Sequence, residues 1–577
     1  MKQIGHSYKQ HPVADSYDAI VIGSGMGGLT TAALLAKHGG QRVLVLERHY
    51  TPGGFTHVFR RPGYEWDAGV HYIGQVNDPR SPMRAVFDHI TEGRLDWNPM
   101  PDVYDRISIG DRNYEFPTGL ERFRARIGDS FPAERKAIDQ YVAAVLATVR
   151  ASNLYFAEKA IPGPIARLIG PMLRSGFLRR ASLTTAQVLS QITRNPELIG
   201  VLTGQWGDYG LPPGQSSFGI HAIIAHHYFE GAGYPVGGAS EIAASIAPVI
   251  ERAGGEIISS AEVSAILLDQ GGRAIGVRMA DGRELRARTI ISNAGAQNTF
   301  GRLLPPDLAA SAGILEELKS IPPSIGHVCL YAGVKRAAGE ADFQATNRWI
   351  YGGPDHDASF ARFAADPSAP WPCLFISFPS SKDPTFEQRY PGRSTIELVA
   401  PVPYESFARW AETKWKHRGT EYDQFKRELA DRLQSDLERH VPEVRGRIDY
   451  AEVSTPLSTR HFANYQHGEI YGLSATPARF RVRSLGVRTP VRNLYLTGTD
   501  ACTLGVGGAM MGGVLTASVV LRRNLMRKVS RPGTTRPVRV RLFIARGTGS
   551  KSRFVPPLHI ARATQPVPAD ARAPSRD

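Results

Sequence analysis

The stretch DAIVIGSGMGGLTTAALLAKHGGQRVLVLERHYTPGGF, residues 18–55, decides the fold. Ala19–Ile22 is a short apolar run and reads as a buried strand. A glycine turn follows, then a helix from about Gly27 to His38, then a second strand over Val43–Leu46. Gly23, Gly25 and Gly28 stand in GxGxxG spacing. The first glycine permits a tight turn, the second lets backbone approach a pyrophosphate, and the third lets helix and strand pack closely. Met26 and Gly27 then open a helix whose N-terminus favours phosphate charge. Glu47, at the end of the second strand, is placed to accept hydrogen bonds from both ribose hydroxyls of an adenosine, with Arg48 beside it. An acid there disfavours a 2′-phosphate, which excludes NADP at this site and leaves FAD and NAD.

The residues that follow bear on that choice. Glu47 runs on through RHYTPGG to Gly53 and Gly54, and then to GYEWDAGVHYIG, residues 63–74. This part of the chain resembles the flavin-dependent amine oxidase and phytoene desaturase superfamily. DAGVHYIG, together with LPPGQSSFGIHAIIAHHYFEGAGYPVGGASEI, is most similar to its retinol saturase branch. The resemblance implies FAD, in an α/β, Rossmann-like domain of the glutathione reductase type, with an interleaved α+β substrate domain and a helical cap. It implies two further returns to the cofactor.

The first return falls within residues 235–295. A helix there carries Ile242, Ile246, Val249 and Ile250 on one face, and a three-stranded meander ends in ISNAG. By resemblance, Val263 offers its backbone to the adenine and Asn293 lies where the chain passes the dinucleotide. The second return is NLYLTGTDACTLGVGGAMMGGVLTASVVL, from Asn493. Its strand runs into Gly498 and Asp500, and a helix starts near Gly508. Resemblance puts Asp500 near the ribityl chain or pyrophosphate, and Gly508, Ala509 and Met510 at the pyrimidine edge of the flavin. The expected division is a FAD domain from 17–75, 235–295 and 486–522, and a substrate and cap domain from 76–234 and 296–485.

Candidate proton donors are His71 and Tyr72, from a segment that in the relatives this chain resembles passes near the flavin, and His461, Tyr465 and Tyr471, from a segment similar to the superfamily's pre-terminal one facing substrate. His221, His226 and His227 are spaced by five and one, off the i, i+4 pattern of helical metal ligands, so no metal is expected. The three cysteines are too scattered for a disulfide framework or a CxxC site. A reducing compartment fits them, and the polar N-terminus offers no apolar stretch of a secretory signal, so a cytoplasmic location is expected.

No run of 18 apolar residues lacks charge, proline or glycine clusters, which argues against a spanning helix. Residues 160–192 interleave Ile165, Leu168, Ile169, Met172 and Leu173 with Arg167, Arg174, Arg179 and Arg180. Such a face suits either a headgroup layer, as a peripheral contact on the inner side of a membrane, or the protein's own core; Pro162, Pro164 and Pro171 are expected to break it into short pieces. Residues 521–577 hold 14 Lys and Arg against 2 acids, +12 of the net +15, which leaves +3 on residues 1–520. The core therefore offers no basic stripe for nucleic acid. The Pro-rich tail over 523–577 reads as disordered.

With no second GxGxxG in strand and helix context, the external reductant or acceptor is left open, as is the oligomeric state. The resemblance implies a hydrophobic polyene or lipid substrate, retinoid or carotenoid, and saturase-type reduction of a C=C bond by hydride from flavin N5. The alternatives are desaturation or cis-trans isomerisation of such a polyene and, outside catalysis, a flavin-containing lipid carrier.

Overall fold

The computed structural model describes residues 4–529 apart from positions 312 and 338; the tail expected to be disordered lies, from residue 530, outside the described residues. An eight-stranded sheet organises the dinucleotide half. Its order is His6–Ser7, Glu256–Ser259, Val43–Leu46, Ser16–Ile22, Glu284–Ser292, Ala274–Met279 and Val263–Leu268, with Leu494–Leu496 also paired to Glu284–Ser292. The strands around Ser16–Ile22 are parallel, with Ile20 opposite Leu44 on one side and Ile290 on the other. The meander is antiparallel.

Alternation along the strands supplies two cores. Ala19, Val21, Val43 and Val45 face a layer formed by the helices Met26–Gly39, Ser240–Glu251 and Gly505–Val520. Ile20, Ile22, Leu44 and Leu46 face the meander side, among Val277, Leu285 and Phe300. Ile242, Ile246, Val249 and Ile250 are all buried in the first of these cores.

Packed chain extends beyond the expected limits at both ends. Ile4 and Val13 are buried and His6–Ser7 adds a parallel edge strand, so the domain begins before Tyr17. Leu525 and Val529 are fully buried, so it continues past 522.

The second half is built on a seven-stranded mixed sheet, ordered Ile448–Ser454, Gly326–Lys335, Arg393–Val402, Leu374–Ser377, Asn347–Tyr351, Val103–Ile109 and Arg112–Pro117. A small sheet of Ile73–Gly74, Ala232–Pro235 and Trp97–Pro99 ties it to the dinucleotide half. Above lie the helices Arg135–Glu158, Gly163–Ala181 and Phe218–Tyr228, which pack on one another.

Gly163–Ala181 corrects the expectation that prolines would fragment this region, because it is one helix. Pro162 is its N-cap and Pro164 lies in the first turn, where no intrahelical N–H is needed. Pro171 removes only the bond to the carbonyl of Arg167, on an exposed turn that water can serve.

Candidate functional site

A cavity of about 1680 Å³ runs between the two halves of the molecule. Single-ligand pockets hold roughly 300–1,000 Å³, so this one has room for a dinucleotide and a second long molecule. At its dinucleotide end the wall is the glycine turn, with Gly23, Gly25, Met26 and Gly27, followed by Glu47, Arg48, Gly53 and Gly54. Gly23 and Gly53 hold φ of +96° and +121°, backbone that a side chain would strain.

Glu47 is held by donors of the protein itself. Its Oε2 accepts from Ser24 N at 2.9 Å and Ser24 Oγ at 2.6 Å, and its Oε1 from His49 N at 2.8 Å. Ser24 Oγ accepts in turn from Gly53 N at 2.9 Å, so Ser24 ties the first glycine turn to the double glycine. Nothing in the GxGxxG pattern marks Ser24 for this task.

Two helices begin on this cavity. Met26–Gly39 and Gly505–Val520 both lack a side-chain cap and an acid in their first turn. Met26, Gly27, Val506, Gly507, Gly508 and Ala509 therefore bring amide groups and two positive dipole ends to the same wall. The Thr503 hydroxyl, also at this wall, is buried with no partner. Unfilled donors and dipoles of this kind fit a pyrophosphate and the electron-rich edge of a flavin. Val263 and Asn293 line the same end.

Four of the residues expected at the cofactor are not at the cavity wall. Gly28 is spent on packing, since a Cβ there would lie 2.1 Å from the carbonyl oxygen of Gly23. Gly498 is pressed against Gly27, whose own Cβ would come within 2.3 Å of the Gly498 Cα. Asp500 turns inward, away from the cavity wall. Its Oδ2 accepts from Ala296 N at 2.7 Å and its Oδ1 from Arg479 Nη2 at 3.1 Å, both side chains being nearly fully buried. Met510 points into the helix-layer core and is fully buried, while its neighbour Met511 reaches the cavity.

The far arm is lined by Phe156 of the Arg135–Glu158 helix, Ile223, Ile224 and Tyr228 of the Phe218–Tyr228 helix, and by Met83 and Leu515. Of the candidate proton donors, His71, Tyr72, Tyr465 and Tyr471 face the cavity and His461 does not. The His461 ring stacks on Trp415 at 5.0 Å in a separate pocket of about 430 Å³ beside Arg48, Arg418 and Arg460. Burial, then Arg48 and Arg418, lower its pKa.

His71 is pushed down to about 3 by burial and then by Lys382, so it is neutral. Its Nδ1 lies 2.8 Å from Glu397 Oε2, but poorly aligned, and neither atom has another hydrogen-bond partner. Burial pushes the Glu397 carboxyl up to about 8. Burial raises the phenols of Tyr72, Tyr465 and Tyr471, and the hydroxyl of Tyr471 donates to the Gly207 carbonyl at 3.1 Å.

Asp208, which no sequence motif marks, also lines the cavity, beside Tyr72 and Tyr228. The histidines of the FGIHAIIAHHY helix have protein partners: Tyr141 and Tyr209 hydroxyls for His221, the Gln75 amide for His226, and Gly74 N donating to His227 Nε2 at 2.8 Å. Among the described residues no cluster of His, Cys, Asp and Glu is arranged for a metal ion. No helix there is long and apolar enough to cross a membrane.

Comparison with known proteins agrees with this architecture. Residues 21–90 match the NAD(P)-binding Rossmann-like domain family. All-trans-retinol 13,14-reductase of Danio rerio is 36% identical over 534 residues, covering 89% of this chain and 87% of that protein, and the Homo sapiens protein is also 36% identical, over 91% and 88%. The chain belongs to the all-trans-retinol 13,14-reductase family. A more distant relative is prolycopene isomerase 1 of an Oncidium hybrid cultivar, 27% identical over 86% of this chain and 81% of its own.

Among solved structures, an oxidoreductase from Methanosarcina mazei superposes with a TM-score of 0.56 at 18% identity, covering 88% of this chain and 100% of its own. Cyclohexylamine oxidase from Brevibacterium oxydans does so with 0.52 at 17%, over 89% and 98%. The family and the fold make the chain an oxidoreductase acting on CH–CH groups, with a flavin-type dinucleotide site.

Proposed function

We propose that the chain binds FAD and reduces one C=C bond of an isoprenoid polyene. The observation that carries this reading is one cavity whose wall runs from the glycine turn and Glu47 to apolar side chains of the cap helices, Phe156, Ile223 and Ile224. The relatives that match over most of the chain are named for retinol reduction and prolycopene isomerisation, two reactions of conjugated isoprenoids.

Glu47 would take the ribose hydroxyls, the amides of Met26 and Gly27 the pyrophosphate, and those of Gly507, Gly508 and Ala509 the pyrimidine edge of the flavin. Bound and reduced, FAD supplies hydride to carbon. The protein's part is to align the polyene in the arm, to exclude water with Phe156, Ile224 and Tyr228, and to hold a proton beside the accepting bond.

The polyene is drawn from a lipid surface. Leu154, Ile165, Leu168 and Met172 are 55%, 51%, 83% and 70% exposed on two helices that pack together, with Arg150, Arg167 and Arg179 exposed on the same pair. Asn153 and Ala157, next to Leu154, are both exposed and part of the cavity wall, so the arm opens beside this face. An apolar face rimmed by arginines suits the headgroup and acyl boundary of an anionic membrane.

The test is an anaerobic single turnover, mixing reduced holoprotein with retinoids and carotenoids in detergent and following flavin absorbance and product mass. Reoxidised flavin with a product heavier by one hydrogen molecule is the expected result. Flavin that stays reduced with every polyene unchanged in mass overturns saturation, and a polyene changed only in geometry redirects the reading to isomerisation.

A further inference from the structure

Two carboxyl groups meet under the cavity, and a count of donors tells them apart. Asp105 is fully buried behind the wall. Its Oδ2 accepts from Gln205 Nε2 at 2.7 Å and from the Tyr72 hydroxyl at 2.8 Å, and its Oδ1 accepts from Asn347 Nδ2 at 3.0 Å. Three donors aimed at one carboxyl describe an ionised group.

A cation stands behind it. Lys382 Nζ donates to Asn347 Oδ1 at 2.6 Å, to the carbonyl of His71 at 2.9 Å and to Ser377 Oγ at 2.7 Å, so its charge is relayed through the Asn347 amide to Asp105.

Tyr72 has a single hydroxyl proton, and Asp105 takes it. The Tyr72 oxygen also lies 3.2 Å from Asp208 Oδ2. The hydroxyl is in donor reach of both carboxyls, and with its one proton on the shorter contact its oxygen is left as an acceptor toward Asp208, an arrangement that seats Asp208 in its protonated form. Asp208 is thus a carboxylic acid at the cavity wall. Tyr228, whose ring stacks on that of Tyr72 at 4.5 Å, closes the other side and brings its own hydroxyl to the Asp208 carboxyl as that group's one donor, against three for Asp105.

We infer that Asp208 is the catalytic acid of this site, delivering the proton that complements hydride transfer to the polyene. The inference rests on the reductase reading given above. A two-electron-reduced flavin dinucleotide held by Glu47 and the two helix ends would supply hydride to one carbon of the double bond. The O–H bond of Asp208 breaks, a C–H bond forms at the neighbouring carbon, and Asp208 is left as a carboxylate to be reprotonated from solvent. Hydride plus proton equals the one hydrogen molecule added.

The other candidates are poorer acids at neutral pH, His71 because it is already neutral and the phenols because burial holds their protons. Burial and then the Asp105 charge push Asp208 up to about 8. Burial raises Asp105 as well, but its three donors oppose that, and it is the one of the two that keeps the charge. The charges facing Asp208 are those of Asp105 and of Lys382, whose ammonium burial lowers to about 8, so the Asp208→Asn comparison assigns the change seen near that pH. The remaining titratable neighbours are the phenols of Tyr72, Tyr104, Tyr209, Tyr228, Tyr351 and Tyr471 and the thiol of Cys373, all neutral in the range where Asp208 titrates.

Two readouts on the FAD-loaded protein decide the matter. Infrared difference spectra of wild type against Asp208→Asn should show a protonated-carboxyl C=O band at pH 6 that fades as pH passes about 8. No such band at pH 6 overturns the inference, whether or not any polyene reacts. In single turnovers, Asp208→Asn should slow polyene reduction by roughly 10²–10⁴-fold with its flavin spectrum intact, Asp208→Glu should recover part of the rate, and wild-type rates should fall above about pH 8. An Asp208→Asn protein that reduces the polyene at the wild-type rate with the same pH profile also overturns it. A wild type that leaves every polyene untouched fails the reductase reading itself and takes the proton-delivery role with it, whatever the band shows.

Discussion

Replacing Arg479 by Met tests whether Asp500 serves the cofactor or the fold. Arg479 is 2% exposed and its guanidinium makes three contacts: Leu473 carbonyl at 2.6 Å, Thr499 carbonyl at 2.8 Å and Asp500 Oδ1 at 3.1 Å. Met fills much of the space but donates nothing. Two carbonyls lose a donor, and the Asp500 carboxylate keeps only Ala296 N. Stranding one member of a buried ion pair costs about 3–5 kcal/mol. At a urea slope of ~3 kcal/mol/M, that moves the flavin-releasing transition down by about 1 M or somewhat more. Arg479→Met/Asp500→Asn removes the stranded charge and should recover ~1–3 kcal/mol of the loss, because the two residues share one network. The assay is urea unfolding followed by flavin fluorescence, with FAD affinity titrated on each folded variant. An Arg479→Met midpoint within ~0.3 M of wild type refutes the energetic reasoning. An Asp500→Asn protein that loses FAD affinity at an unchanged midpoint shows that Asp500 meets the cofactor directly.

Leu168→Asp/Met172→Asp should lower co-sedimentation with anionic phosphatidylglycerol vesicles by at least ~10-fold and leave turnover of detergent-delivered polyene unchanged; undiminished sedimentation counts against the lipid-facing helix pair. Met510→Ala should destabilise the protein by ~2–5 kcal/mol with little effect on the flavin spectrum. Met511→Ala should do the reverse, and equal stability losses for the two would contradict the helix orientation. Asp208 holds a proton up to about pH 8 when folded but only to ~4 when unfolded. Its share of stability is therefore present below pH ~4 and is lost as pH rises toward about 8, by at most ~1.4 kcal/mol per pH unit. Asp208→Asn should remove that slope in urea titrations between pH 5 and 8, and an unchanged slope would show that Asp208 ionises normally.

What the chain discloses before folding follows the range of the interactions. Strand, glycine turn, helix, second strand and Glu47 lie within 30 residues, so spacing alone carries their geometry. The same holds for the meander and for the helix after Leu504. Met510 and Met511 show where such reading stops, because a change of one residue in helical phase exchanges core for cavity. Asp500 was legible as an acid beside a glycine turn, but its partner Arg479 comes from another segment and redirects it. Asp208 carries no motif at all. Its character comes from Tyr72 and Asp105, more than 100 residues away in the chain, and from burial that only the assembled sheet creates. His461 has suitable chemistry, yet Trp415 captures its ring on the wrong side of the segment.

The pairing of Leu494–Leu496 with Glu284–Ser292, and of that strand with Ser16–Ile22, sets a timetable for the newborn chain. Ser16–Ile22 has no partner on one side until residue 292 has emerged, and the sheet is not complete until residue 496 has. The second helix that meets the dinucleotide, Gly505–Val520, is made later still. Contacts this distant in sequence form slowly and leave apolar strands open while synthesis continues. Nearly 480 residues thus separate the starts of the two helices that face the dinucleotide site, and the site has both ends only after the second has emerged.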